Sequence, residues 1–239
     1  MTTAFFPIQS SVGIRPFTLN TADPCISTFG MFGRDAEGRA KRLLEANLSR
    51  ILANELWTGT RSVAAAFQAA GPPIINDSLV RNPTTLNGGV KAGYLTALAE
   101  LEQAYADRDN RPGFIHCQPR IASLWKAAYA IELAPSGRYF TTGLGNVVVA
   151  DAGYDGSGSG GITAGSRVRS WAYISGPVAY ARTPVRLQTA LLSERFGASA
   201  GGSAVGTNDL TTRAECDAAV FWDSKVNVAC LVDPLVEYS

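Results

Sequence analysis

The chain has 239 residues and a formal net charge of +1, enough length for one large domain or two intimate ones. That charge lacks the basic excess of a protein built to grip nucleic acid, because phosphate neutralisation supplies most of such affinity. Hydrophobic residues make up 46% and charged residues 17%, so a real core can be buried, yet no apolar run reaches the about 18 residues of a transmembrane helix.

In chain order, residues 1–33 carry Pro7, Gly13, Pro16, Pro24, Gly30 and Gly33 among scattered aromatics. No helical period survives that, and an extended arm with room for a short hairpin is expected. Such an arm stays ordered only where another surface receives its backbone and its Phe side chains. The opening residues show neither a basic region nor a continuous apolar stretch, so no secretory signal is expected. Synthesis is placed in the cytoplasm.

From Asp35 to Trp57, Ala36, Ala40, Leu43, Leu44, Leu48, Ile51, Leu52 and Leu56 recur at three- and four-residue spacing. Charged residues fill the other face, Asp35 suits the cap, and Gly59 ends the run. At about 1.5 Å per residue this helix is roughly 34 Å long, more a spine than a core element. Residues 60–87 are mixed, with turns and a short edge strand expected.

An α/β alternation follows. A helix over 89–106 has Val90, Tyr94, Leu98, Leu101 and Tyr105 in one stripe, and Gly113-Phe-Ile-His-Cys117 reads as a strand. Pro119 opens a second helix, with Ile121, Leu124, Trp125, Ala128 and Tyr129 on its inner face. Arg138–Thr141 and Asn146–Ala150 read as strands, and 155–161 as a mobile Gly/Ser loop.

The remainder is β-patterned. Trp171 and Tyr173, Val178 and Tyr180, and Val185 and Leu187 keep the two-residue period of half-buried strands. After a loose loop at 193–207, Leu210 to Asp223 alternates for about thirteen residues, roughly 44 Å of strand. Val226, Val228, Cys230 and Val232 then give a partner strand, and a long closing hairpin is expected.

His116 is the single histidine, at the end of an apolar strand, where a packed or hydrogen-bonded ring is the ordinary case. Cys117 adjoins it, but neighbours on a strand point to opposite faces, which argues against a Cys-His pair. Cys25, Cys117, Cys216 and Cys230 contain no Cys-x-x-Cys pair, so inert buried thiols are expected. Gly156, Gly158 and Gly161 match a G-x-G-x-x-G spacing, yet β-patterned residues follow where a dinucleotide site needs a helix. Arg34, Arg39, Lys41, Arg42 and Arg50 are interleaved with Asp35, Glu37 and Glu45, which points to a solvated or partner-paired helix face. No catalytic, cofactor or metal residue is assigned.

Arm, long helix, two-helix α/β unit and closing strands make an α+β order that resembles the Hong Kong 97-type capsid fold. That fold is shared by tailed-phage major capsid proteins and encapsulin shells. Glu55-Leu-Trp-Thr-Gly59 looks like the end of the spine helix in capsid-like proteins of actinobacterial phages. Phe114–Cys117 with Pro119–Trp125 is similar to the meeting of an axial-domain strand with the second helix. Gly137-Arg-Tyr-Phe-Thr and Gly145–Tyr154 resemble the passage that follows, although Asn146 stands where the family often leads into Pro. Three later stretches, 171–178, 207–215 and 226–229, resemble the closing strands. The likeness runs over roughly residues 35–235 and rests on the order of motifs.

The resemblance implies an arm and short extended loop at 1–33, and a spine helix with the first part of a peripheral domain at 34–85. An axial domain at 86–205 and the rest of the peripheral domain, a closing hairpin, at 206–239 complete it. It implies a non-enzymatic subunit of an icosahedral phage head, self-assembling as hexamers and pentamers around double-stranded DNA. Scaffold, portal and decoration proteins are the implied partners, with non-specific contact to packaged DNA and no membrane. The implied location is the virion, reached through the host cytoplasm. Phe5, Phe6, Pro7 and Phe17 of the arm, with Arg39, Arg42 and Arg50 of the helix, are the expected inter-subunit contacts. The alternatives are an encapsulin-type compartment, a minor head protein and, distantly, a small hydrolase using Cys117 and His116.

Overall fold

The apolar spacing that predicts a helix over 35–57 is realised as α1 (Gly33–Thr58). It closes where the Gly59 N–H reaches the Glu55 carbonyl, with Gly59 at φ 65°, the left-handed ending that glycine favours. The structure is a computed structural model describing residues 11–13, 17–23, 33–59, 78–81, 83–137, 139–158, 169–191, 210–223 and 226–236. The chain divides into two compact units. One comprises Met1–Arg15, Arg50–Tyr180 and Val220–Ser239, the other Pro16–Ser49 and Ala181–Ala219.

The larger unit is built on a seven-stranded mixed sheet. It contains β3 (Thr84–Thr85), β4 (Phe114–Cys117), β5 (Ile131–Leu133), β6 (Phe140–Thr142), β7 (Val147–Ala150), β8 (Ser170–Ser175) and β12 (Asn227–Val232). Their spatial order is β3-β12-β8-β4-β7-β6-β5. β4 with β7 and β3 with β12 run parallel, and the other pairs antiparallel. Two helices, α2 (Tyr94–Ala106) and α3 (Pro119–Ala127), bring Leu98, Leu101, Tyr105, Ile121 and Trp125 into one cluster with Ile115, Cys117, Ile174, Val228, Cys230 and Val232. β8 and β12 are buried along their whole length, as central strands covered on both faces should be.

In the smaller unit β2 (Phe17–Asp23) and β10 (Arg186–Leu191) flank β11 (Leu210–Asp223), both antiparallel. The alternation read in the sequence is kept: Thr212, Ala214, Cys216 and Ala218 are buried while Arg213, Glu215 and Asp217 are half-exposed. Among the described residues, Phe17, Leu19, Ala40, Leu44 and Ala219 are this unit's other buried apolar side chains. Arg186 bridges Glu215 and Asp217, and Arg213 also meets Glu215. β1 (Ser11–Gly13) pairs with the far end of β11 at Phe221–Asp223, and β9 (Val178–Arg182) also pairs with β11.

Four expectations are corrected. The closing hairpin does not form: β12 pairs with β8 and β3, because β11 has its edges taken by β1, β2, β9 and β10. A β12 that is buried throughout and apolar but for Asn227 suits the middle of a covered sheet better than a half-exposed hairpin. Second, part of the arm finds its surface in its own chain, as β1 and β2 on β11. Removing residues 1–20 therefore strips buried Phe17 and Leu19 and cannot leave the monomer untouched.

Third, the helix expected from 89 starts at Tyr94. Residues 86–89 form a tight turn with Asn87 and Gly88 at positive φ, leaving Val90 exposed. Fourth, α3 stops at Ala127, so Tyr129 leaves the inner face and stands in solvent. β5 was not foreseen, being only three residues long. The loop at 193–207 and residues 159–168 lie outside the described residues.

Candidate functional site

His116 and Cys117 sit on β4 with their side chains on opposite faces of the sheet. Cys117 lies in the helix-covered core, and burial pushes its thiol well above the usual range. His116 is 1% exposed. Its Nε2 is 2.9 Å from Ser175 Oγ and its Nδ1 is 3.0 Å from Tyr154 Oη. Ser175 donates its hydroxyl hydrogen to the Gly176 carbonyl. This network assigns the tautomer: Nε2–H donates to Ser175, and Nδ1 accepts from Tyr154. Desolvation holds the ring neutral, with its pKa lowered to about 3. A nucleophile and base on opposite faces, both sealed from solvent, do not assemble the hydrolytic pair considered from the sequence.

What His116 does assemble is a clamp. Tyr154 stacks near Trp57 at 4.9 Å, and Trp57 meets Tyr173 edge-on at 4.7 Å. The Trp57 indole N–H and the Tyr173 hydroxyl both donate to the Ser157 carbonyl at 3.1 Å. Asp155 accepts from the Ser157 amide and hydroxyl, which fixes that carbonyl's direction. Asn54 donates to the Gly153 carbonyl and Gln118 to the Tyr154 carbonyl. A Cβ on Gly153 would stand 2.1 Å from the Arg50 carbonyl oxygen, so only glycine permits the loop to lie on the helix backbone. The last two turns of α1, the 151–158 loop and the β4–β8 face thus form one interlocked body.

Gly156 and Gly158 of the G-x-G-x-x-G match belong to this loop. A Cβ on Gly158 would fall 2.0 Å from the Trp171 indole nitrogen, so its role is to admit an aromatic ring. Gly161 lies outside the described residues.

Two further polar centres hold the unit. Glu102 accepts from Thr142 Oγ1 and, at 2.8 Å, from Asn146 Nδ2, while Asn146 Oδ1 accepts from the Gly113 amide at 2.7 Å. Asn146, the departure from the resembled motif, is thereby the buried tie between β4, α2 and the β6–β7 turn. Asp233 meets Arg169 at 2.9 Å and Lys91 at 3.4 Å and accepts from the Leu235 amide. Burial alone raises its pKa, but the Leu235 N–H and the two cations outweigh that and hold it below its usual value. Among the described residues, no group of three or more His, Cys, Asp or Glu could hold a metal. Among the same residues no helix is long and apolar enough to cross a membrane.

Of the seven expected contact residues, four lie among the described ones. Phe5, Phe6 and Pro7 lie outside the described residues. Phe17 is 3% exposed and packs within its own unit opposite Ala218. Arg42 and Arg50 are exposed on α1, and Arg39 is half-buried. The clamp went unread in the sequence because Trp57, Tyr154, Tyr173 and Ser175 are spread over more than a hundred positions. The one available signal was the Glu55-Leu-Trp-Thr-Gly59 motif, which contains the anchoring indole.

No family model matches the chain, and no curated protein matches it. Solved structures do. The chain is similar to the capsid structure of the cyanophage P-SCSP1u, with 9% identity and a TM-score of 0.40 over 91% of this chain and 71% of that one. It is similar to a chain of Gordonia phage Cozz at 13% identity, TM-score 0.46, over 93% and 70%. It is also similar to a chain of Mycobacterium phage Ogopogo at 16% identity, TM-score 0.41, over 93% and 76%.

Proposed function

We propose that this chain is a structural subunit of an icosahedral phage head, built on the Hong Kong 97-type plan and working by self-assembly. One observation carries the reading. A 26-residue helix and a 14-residue strand occur in the same chain as a separate seven-stranded sheet with its own two-helix core. Elements that long exceed what a core of this size needs, since globular strands average about 5–6 residues and helices about 11–12. A shell subunit uses such length to reach neighbours, multiplying weak contacts by symmetry.

In this reading residues 1–33 reach outward beyond β1 and β2, α1 is the spine, and the seven-stranded sheet is the axial body with β12 woven into it. Arg39, Arg42 and Arg50 pair with acidic groups of a neighbouring subunit, and Phe5, Phe6 and Pro7 seat on it. Hexamers and pentamers enclose double-stranded DNA, and scaffold, portal and decoration proteins act on the assembled shell. His116 and Cys117 are structural. The subunit works in the virion after assembly in the host cytoplasm.

The test is charge reversal on the spine. Arg42→Glu and Arg50→Glu, alone and together, should leave the melting temperature of the unassembled subunit within about 1 °C, since surface changes are small. They should cut the yield of large particles several-fold, as light scattering reads it. Unchanged particle yield would remove these arginines from the interface. Protein cargo in purified particles, in place of nuclease-protected DNA, would favour the encapsulin-type alternative.

A further inference from the structure

Between β3 and α2 the backbone turns through three successive left-handed residues, Asn87, Gly88 and Gly89, at φ 51°, 61° and 84°. The Val90 N–H closes the turn on the Asn87 carbonyl at 3.1 Å. Glycine suits such positions, and asparagine is among the few side chains that tolerate them. The turn thus selects Asn-Gly-Gly, and with it the chain's one Asn-Gly pair. The short side chain that tolerates the left-handed region also brings its amide carbon within reach of the next residue's nitrogen. Gly88 puts no side chain in the way: a Cβ there would meet nothing within 4 Å, and both residues are exposed.

What restrains the amide is a half-buried carboxylate on α2. Asn87 Nδ2 donates to Glu100 Oε1 at 2.9 Å and to Oε2 at 2.8 Å. An ionised carboxylate only accepts, which fixes the amide with its nitrogen toward the helix. The Cys230 thiol donates to the same Oε2 at 3.8 Å. A departing ammonia must gain a proton, and an acceptor-only neighbour opposes that while holding the side chain in place.

We propose that Asn87 is a self-modification site, deamidating through Gly88 at a rate that Glu100 restrains, and that its conversion loosens the turn joining β3 to α2. The Gly88 nitrogen bonds to Asn87 Cγ as the Cγ–Nδ2 bond breaks, and the amide nitrogen leaves as ammonia with the Gly88 proton. Water then opens the five-membered imide at either of its carbonyls, giving aspartate or isoaspartate. Water enters, ammonia leaves, and nothing is oxidised or reduced.

Either product conflicts with what surrounds it. Aspartate sets a second carboxylate against Glu100 where an amide had donated, and like charges in such contact repel. Isoaspartate adds an atom to a main chain pinned to β12 on both sides. Thr84 and Thr85 pair with Val228 and Ala229 before the turn. After it, the Ala92 N–H reaches the Leu231 carbonyl and the Asp233 N–H the Ala92 carbonyl, both at 2.9 Å.

The test holds the full-length protein at mildly alkaline pH beside a synthetic peptide of residues 82–91. Peptide mass spectrometry follows the exchange of ammonia for water at each asparagine. Conversion at Asn87 is expected ahead of every other asparagine, and more slowly than in the free peptide. Glu100→Ala should speed it about fivefold, the rate equivalent of a hydrogen bond of about 1 kcal/mol. Glu100→Gln keeps an acceptor and should fall between. Gly88→Ala should slow it by covering the attacking nitrogen. Asn87→Asp, the product, should melt about 2–4 °C below the parent. No conversion in parent or Glu100→Ala by the time the peptide is consumed would overturn the site. Equal rates in the parent and both Glu100 variants would overturn the restraint, and an unchanged melting temperature in Asn87→Asp the loosening.

Discussion

His116 is a base held where it cannot take a proton, and that has a signature in stability. Its folded pKa lies at about 3, below the ordinary histidine value of about 6.5. Between those limits the unfolded chain binds one more proton at this site than the folded chain. Stability contributed by the neutral ring is therefore whole above about pH 6.5 and lost progressively as pH falls toward 3. The slope is about 1.4 kcal/mol per pH unit for one proton. His116→Gln should flatten the stability profile from pH 6.5 to 4 by that amount, whatever it does at pH 7. Denaturant melts at three pH values check it, and an unchanged slope would mean the ring is reached by solvent.

Asp233 carries the opposite charge under the same rule. Its folded pKa is depressed, so its contribution is present above the unfolded carboxylate range and is lost as pH falls through the folded value. Its partners Lys91 and Arg169 are about half exposed, so screening reduces the pair energy. Asp233→Asn is expected to cost about 1–2 kcal/mol at neutral pH and less in acid. Urea titrations of parent and variant at both pH values give the comparison.

At the scale of elements, the clamp between the end of α1 and the 151–158 loop is the joint most sensitive to a single atom. Gly153→Ala places a methyl 2.1 Å from the Arg50 carbonyl oxygen, far inside van der Waals contact, so helix and loop must separate. The expected loss is about 2–4 kcal/mol, the scale of overpacking and broken buried contacts. Circular dichroism melts check it, and a neutral result would mean the loop does not rest on the helix.

This joint also marks how far the sequence could be read. α1 and β11 were legible because each repeats one spacing long enough to outweigh local exceptions. β12 was legible as a strand but not as to its partner, since its apolar run says it is buried and not beside what. The start of α2 was misplaced because Val90 continues the stripe, while the Asn87–Gly88 turn that precedes it is set by positive φ, which periodicity does not encode. Tyr129 was misread for the same reason: its spacing says inner face, and the helix ends two residues too early. Of the expected contacts among the described residues, Arg42 and Arg50 stand on the surface and Arg39 is half-buried, while Phe17, which looks in the sequence like part of a loose arm, is consumed by its own sheet.

For the whole molecule, the separation into two units explains why a chain of ordinary composition contains such long elements. The seven-stranded unit has its own closed core, with Trp125, Tyr105 and Ile115 fully enclosed. The smaller unit draws its buried residues from β2, α1 and β11. Among the described residues, His116 and Cys117 stand on opposite faces of β4, and the buried His116, Asn146 and Asp233 each tie a loop to its neighbours.

Electron microscopy of the purified full-length protein, concentrated under native conditions, tests the central claim most directly. The account predicts closed, roughly isometric shells with hexameric and pentameric units. A protein that stays a monodisperse monomer at every concentration and salt tested, and whose co-expression with head partners yields no shells either, would contradict it.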